Sequence, residues 1–153
     1  MKALSYDEGL SRMAAFCSIS EHCESEVRER LQKAAMPSSE IQKIVDHLYD
    51  EDYLNTARYC RAFAHDRLRF ARWGRLKIQQ ALRMKGLPDS DIREALDDLS
   101  DEEYKEALRA TLEQKRRSLG DNGDDDYALR AKLMRYAASH GFTPSEILDE
   151  IES

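Results

Sequence analysis

Apolar residues recur along this chain at helical spacing, in short stretches separated by turn residues. Leu10, Met13, Ala14 and Cys17 form the first such stripe, near residues 6–17. Around 22–35, Val27 and Leu31 share one face while Glu24, Arg28, Glu29 and Arg30 point to water. Pro37-Ser38-Ser39 breaks the pattern, and Ile41, Ile44, Val45 and Leu48 restart it. Near 51–69, Tyr53, Ala57, Cys60 and Ala64 follow at i, i+4, i+7 and i+11, with Phe63 widening the face. The pattern predicts helix, helix, longer helix, and begins again at Trp73-Gly74. In the second unit, about 74–118, Gly86 suits the position after a helix end and Pro88 the turn that follows. Its long helix, near 101–118, ends in Lys115-Arg116-Arg117, where positive charge suits the negative end of the helix dipole. Residues 120–126 are the one clear loop. A helix near 126–139 follows, then Gly141, then Thr143-Pro144-Ser145-Glu146, a capping box with proline at the first helical position.

These stretches repeat. At an offset of 51 residues, Val27, Leu31, Met36, Pro37 and Ile41 fall on Ile78, Leu82, Leu87, Pro88 and Ile92. At the same offset Leu48, Asp50, Glu51, Tyr53 and Arg58 fall on Leu99, Asp101, Glu102, Tyr104 and Arg109. A third copy lies at an offset of 55, where Leu133, Ala137, Phe142, Ile147 and Ile151 match Ile78, Leu82, Leu87, Ile92 and Leu96. A repeat of this length means copies of one supersecondary unit sharing a core. The expected fold is all-α: one domain, 1–153, an elongated array of three-helix repeats. It has about nine helices, and a right-handed or curved superhelix is compatible with it. The approximate units are an opening helix, 1–19, then 20–70, 71–119 and 126–153. Within them, Val27 and Leu31 should pack on Ile41, Val45 and Leu48, and Ile78 and Leu82 on Ile92, Leu96 and Leu99. The shared position of Tyr53 and Tyr104 predicts one role, a buried anchor for each long helix.

Charge sharpens this picture. The net charge of −6 conceals a band: residues 58–85 hold nine basic side chains against Asp66 alone, while 1–57 and 86–153 are both acidic. Arg58, Arg61, Arg67, Arg69, Arg72, Arg75, Lys77, Arg83 and Lys85 are therefore the candidate contact surface, for a partner that is anionic or itself polarised. Arg58 has a structural rival reading, because Arg109 recurs at its position. Arg67, Arg75 and Lys77 do not recur as bases, since their equivalents are Ser118, Glu24 and Glu26, so they are the sharper candidates. A solvated helix face is the competing account of the whole band. Phe63 and Trp73 within it are read as packing residues.

Reactive chemistry adds little. His22 and Cys23 adjoin, but no fourth ligand stands at zinc spacing, and Cys17, Cys23 and Cys60 read as small packing residues. The acidic loop lacks calcium-loop order: from Asp121, the sixth and twelfth positions are Asp126 and Lys132. No glycine-rich phosphate loop and no nucleophile–base set can be nominated. A non-enzymatic protein without cofactor or metal is expected. The absence of a spanning apolar run, the acidic turn soon after Met1 and the unframed cysteines suit a cytoplasmic protein away from membranes.

Tyr53-Leu54-Asn55-Thr56-Ala57-Arg58-Tyr59, then Phe63, Arg67-Leu68, Gly74, Ile78, Leu82, Lys85-Gly86 and Ile92 resemble the motifs of the bacterial RecX regulatory proteins. Lys132-Leu133, His140-Gly141-Phe142 and Ile147 resemble that family's closing signature, and the likeness runs from about residue 10 to 151. Asp52, Thr56, Ala35 and Cys23 depart from it, at caps and turns. The resemblance implies a monomeric helical-repeat regulator of homologous recombination. Such a protein binds the RecA–single-stranded-DNA filament and inhibits strand exchange and ATP hydrolysis. A direct nucleic-acid binder using 58–85, and a helical adaptor, are the alternatives. Against direct DNA binding as the main role stand a pI near 5.3 and the acidic flanks.

Overall fold

The structure, a computed structural model, describes residues 4–153. It contains nine α-helices and no strand among the described residues: α1 (Tyr6–Ile19), α2 (Glu24–Lys33), α3 (Ser38–Asp50), α4 (Thr56–Ala71), α5 (Arg75–Met84), α6 (Asp89–Asp97), α7 (Asp101–Leu119), α8 (Asp126–Ser139) and α9 (Pro144–Glu152). The array is extended. Its accessible surface is 9470 Å², against roughly 7,900 Å² for a compact monomer of this mass.

The expected pairs form, because the stripes leave one apolar face on each helix. Val27, Leu31, Ile41, Val45 and Leu48 are all buried, as are Ile78, Leu82, Ile92, Leu96 and Leu99. Contacts run chiefly within triples: α1 and α2 pack on α3; α4, α5 and α6 pack on one another, α4 most extensively on α6; α7, α8 and α9 do the same. Between triples, α4 meets α7. The apolar interior falls into two clusters. One is confined to α1–α3 and Leu54. The other runs from Cys23 through α4 to Ile147 on α9 without interruption. Cys17, Cys23 and Cys60 are buried free thiols. Burial, with Glu21 and Asp91 nearby respectively, pushes Cys17 and Cys60 up to about 11, which suits packing rather than reactivity.

The repeat at offset 51 is structural for only part of its length. α2 and α5 start at equivalent positions, and so do α3 and α6, but α3 runs to Asp50 whereas α6 stops at Asp97. The long helices are then out of step. α4 does not begin near 51: Glu51 caps α3, Asp52 takes φ +61, and Asn55 accepts from the Arg58 N–H to open α4 at Thr56. Ser100 does the same for Glu103 at the start of α7. Tyr53 therefore lies half-buried in the connector, while Tyr104 is buried in the first turns of α7, so the two do not share a role. Tyr59, four residues after its N-cap as Tyr104 is after Ser100, is the true counterpart and is buried. The Leu-x-Asp-Glu-x-Tyr match crossed a helix end, and sequence identity outran geometry.

The offset of 55 carries α6 onto α9 end to end. Where the turn before α9 meets the start of α5, Gly74 N–H donates to His140 C=O at 2.7 Å and Leu76 N–H to Gly141 C=O at 3.1 Å. A methyl on Gly74 would lie 2.4 Å from the Gly141 carbonyl, and one on Gly141 2.5 Å from Lys77 Cβ. Two glycines thus let the second and third triples touch backbone to backbone.

Candidate functional site: a cationic and aromatic docking surface

The nine basic residues do not form one surface, because the fold divides them by what each side chain meets. Arg58 serves the joint between the first two triples. Its Nε donates to Glu21 at 2.6 Å, Nη1 to Asp52 at 3.0 Å, and Nη2 to the Asp52 carbonyl. The hydrogen bond to Glu21 raises the Arg58 pKa further, so this cation is fixed. Arg75 is also held inside the fold. Its guanidinium lies 4.0 Å from the Tyr104 ring centroid, 3.6 Å from Glu146 and 3.7 Å from Asp101, and its Nε donates to Leu96 C=O. Its lack of a basic counterpart at position 24 reflects a different neighbour, not a free surface. Arg61 faces Glu94, Arg69 faces Glu103, and Arg83 pairs with Asp89 at 3.1 Å. Lys85 lines a small cleft with Glu24 and Arg28, beside the α5–α6 turn.

Among the described residues, three cations of the band remain without a carboxylate within 4.0 Å beside the α4–α5 corner: Arg67, Arg72 and Lys77. Arg67 lies 4.9 Å from the Phe63 centroid and 5.0 Å from that of Trp73, and the Lys77 ammonium 4.7 Å from Trp73. Phe63 and Trp73 meet edge to face at 6.3 Å, and both pack against the main core, as their sequence reading required. The rings hold the cations in place without neutralising them, so their N–H groups remain available to an anion.

The surface continues onto helices that the charge band never indicated. Arg72, in the left-handed conformation that ends α4, donates to Gln114 on α7, and its carbonyl lies 3.2 Å from His140 Nδ1. His140 packs on Tyr136, and the Lys115 ammonium sits 5.1 Å from the Tyr136 ring centroid. Lys115 also has no carboxylate within 4.0 Å among the described residues. Lys115, Tyr136 and His140 were missed because they lie outside residues 58–85, in a C-terminal stretch that is acidic only in sum. The Tyr136/His140 spacing of four residues was the one local signal that two rings share a face.

Buried hydroxyls brace this region. Arg75 N–H donates to Tyr104 Oη at 3.0 Å, which in turn donates to Glu146 Oε1 at 3.1 Å. Burial, offset in part by the Arg75 N–H, pushes the Tyr104 phenol up to about 12. At the other joint, burial disfavours the Glu26 carboxylate. Donors from Cys23, His22 and Tyr59 outweigh burial and hold its pKa below the usual carboxylate range.

The arrangement is one of contacts: cations on rings, braced by a helical scaffold. Among the described residues no cluster of three metal-ligating side chains occurs, and no helix is long and apolar enough to cross a membrane. The fold is that of an all-helical repeat protein.

Comparison with known proteins places it more closely. Family models for the second and third three-helix domains of RecX match residues 55–96 and 101–149, more than half of the chain. The chain belongs to the RecX family. It is 28% identical to Regulatory protein RecX of Prosthecochloris aestuarii, over 94% of this chain and 93% of that protein. It is 30% identical to Regulatory protein RecX of Clostridium botulinum (strain Eklund 17B / Type B), over 84% of this chain and 60% of the relative. With the Clostridium acetobutylicum protein it shares 28% identity, over 90% of this chain and 64% of that one. The chain thus spans somewhat less than two thirds of these clostridial relatives. The crystal structure of RecX from Lactobacillus salivarius superposes with a TM-score of 0.82 at 20% identity, covering 96% of this chain and 94% of that one. A second regulatory protein RecX structure gives a TM-score of 0.85, also at 20% identity, over 97% of this chain and 72% of the other.

Proposed function

We propose that this chain regulates homologous recombination by docking on the RecA–single-stranded-DNA filament and inhibiting strand exchange and ATP hydrolysis. The reading holds it to be a cytoplasmic monomer that acts by binding and performs no chemistry of its own. The observation that carries it is a group of cations at the α4–α5 corner, with Arg67 and Lys77 on Trp73, Lys115 on Tyr136 and Arg72 hydrogen-bonded to Gln114, which have no carboxylate partner among the described residues. The isolated array gains only weak ring contacts from these groups, about 0.5–1 kcal/mol each, whereas a polyanionic or carboxylate-rich filament offers them opposite charge. On this reading the repeating unit is a long helix followed by two shorter ones, α4–α6 and α7–α9. That frame differs from one cut at 20–70 and 71–119, and the close packing of α4 on α6 supports it.

The test is co-sedimentation with RecA filaments, with bare RecA and with bare single-stranded DNA, alongside a strand-exchange assay. The parent should sediment with filaments and inhibit exchange. The variant carrying Arg67→Glu and Lys77→Glu should keep its helicity, melt slightly below the parent for its lost ring contacts, and lose inhibition; Arg75 is left alone because it is part of the scaffold. A variant that still inhibits like the parent would remove this surface from the mechanism. Strong retention on bare DNA with a steep salt dependence would favour direct nucleic-acid binding instead.

A further inference from the structure

Trp73 is the only tryptophan of the chain, and the fold sets two cations on it. The Arg67 guanidinium lies 5.0 Å from its ring centroid and the Lys77 ammonium 4.7 Å, while Arg67 also lies 4.9 Å from the Phe63 centroid. Across the joint with the third triple, Tyr136 holds Lys115 at 5.1 Å and packs on His140. The rings of this corner are thus engaged by the protein's own cations, which leaves little open ring face for nucleobases to stack on, the usual means of holding a single strand. Phe70 is bare and 78% exposed, but it shares its groove with Asp66 and Glu21. On the other side, Arg72 lies in a cleft with Arg69, Glu103 and Glu106. The positive ground is therefore short. A continuous phosphate chain running off Arg67 or Arg72 meets carboxylates in both directions. Leu76, the sequence neighbour of Lys77, is 49% exposed in the first turn of α5 and offers an aliphatic contact beside the cations.

From this layout we infer that the corner, resting on its role as the docking surface, receives a short acidic segment of a partner protein, its carboxylates clustered around an apolar residue. Carboxylates can be gathered over a few residues and followed by neutral ones, so such a segment stays on positive ground where a nucleic-acid strand does not. The Arg67 guanidinium presents paired N–H donors to one carboxylate, and the Lys77 ammonium a point charge to another. Both cations are already held on the indole, so pairing them costs less side-chain freedom than pairing free surface chains. Leu76 takes the apolar residue of the segment.

The experiment is a titration of the 15N-labelled full chain at low ionic strength with acetyl-Asp-Glu-Leu-Glu-Asp-amide, with acetyl-Lys-Lys-Leu-Lys-Lys-amide and oligothymidylate in separate arms. The single tryptophan gives one indole N–H peak. That peak and the Lys77 amide should shift saturably with the acidic peptide and not with the lysine peptide. Arg67→Gln and Lys77→Gln should each weaken the acidic peptide by about threefold, the worth of one exposed ion pair. Arg69→Gln, whose cation faces Glu103, should leave that affinity unchanged. Absence of saturable shifts, an equal response to the lysine peptide, or an affinity that Arg67→Gln and Lys77→Gln lower no more than Arg69→Gln does each overturns the proposal. Tighter binding of oligothymidylate than of the acidic peptide overturns it too and gives the corner to nucleic acid. Filament co-sedimentation run in parallel separates the two readings. A chain that takes the acidic peptide but ignores filaments loses the recombinase reading alone; one that binds filaments but not the peptide loses the acidic segment alone.

Discussion

At Ala35 the backbone takes φ +62, a conformation in which the side-chain methyl crowds the following carbonyl. The equivalent turns of the later triples carry Gly86 at φ +83 and Gly141 at φ +100. The three turns form a built-in comparison of alanine and glycine at one position. Ala35→Gly should stabilise the chain by roughly 0.5–1 kcal/mol, and Gly86→Ala should destabilise it by a similar amount. The second value is purely conformational, because a methyl at 86 meets nothing within 4 Å. Denaturant midpoints of the two variants check both signs. Tyrosine positions show how far identity alone could be read. Tyr104 was legible as a buried anchor, whereas Tyr53 was not separable from it, because only the helix ends reveal that Tyr59 holds the equivalent place. Tyr104→Phe leaves the ring and removes a hydroxyl that accepts from Arg75 and donates to Glu146, so it should cost about 1–2 kcal/mol in a thermal melt. Tyr53→Ala should cost less than Tyr104→Ala, for which burial predicts about 3–5 kcal/mol.

Helices were the part of the fold most open to reading, since each apolar stripe has the period of 3.6 and each break carries proline, glycine or a capping residue. Thr143 and Glu146 form the capping box that their spacing predicts, with Pro144 opening α9. What the stripes could not supply was the order of packing between helices. Arg58 and Glu21 are 37 residues apart, as no periodicity reveals, and the joint they form also holds Glu26 with Cys23, His22 and Tyr59. This joint should respond to acid. The folded-state pKa of Glu26 is depressed, so its contribution to stability is complete above the usual Glu value of about 4.3 and is lost as pH falls through the lower folded value. The melting-temperature advantage of the parent over Glu26→Gln should therefore be full at neutral pH and shrink below about pH 4. An advantage that grows on acidification would place Glu26 outside the stabilising network.

On the scale of the whole molecule, the surroundings of the basic side chains were half legible. The charge band led to Arg67, Arg72 and Lys77. It also nominated Arg58 and Arg75, which the fold uses internally, and it passed over Lys115 and Tyr136, which reach the same region from α7 and α8, outside the band. Charge in a sequence is counted along the chain, while a surface collects it across triples. The division of the interior into two clusters carries a further expectation. α1–α3 share contacts with the rest chiefly through polar groups, so hydrogen exchange should show this triple opening at a lower free energy than α4–α9. Uniform protection across both clusters would mean that the polar joint couples them as tightly as a shared core.

That same division sets an order of events as the chain leaves the ribosome. The first triple closes its own interior with residues no later than Leu54, so it can fold while the remainder is still being made. The middle triple is different. Its interior is continuous with Leu133, Phe142 and Ile147, and the start of α5 takes its backbone partners from His140 and Gly141. Synthesis must therefore pass Ile147 before α4, α5 and α6 acquire their final neighbours. Until then the half that bears Arg67, Trp73 and Lys77 waits with an open side, and a premature stop before residue 140 leaves that corner unfinished even though every residue of the basic band has been translated.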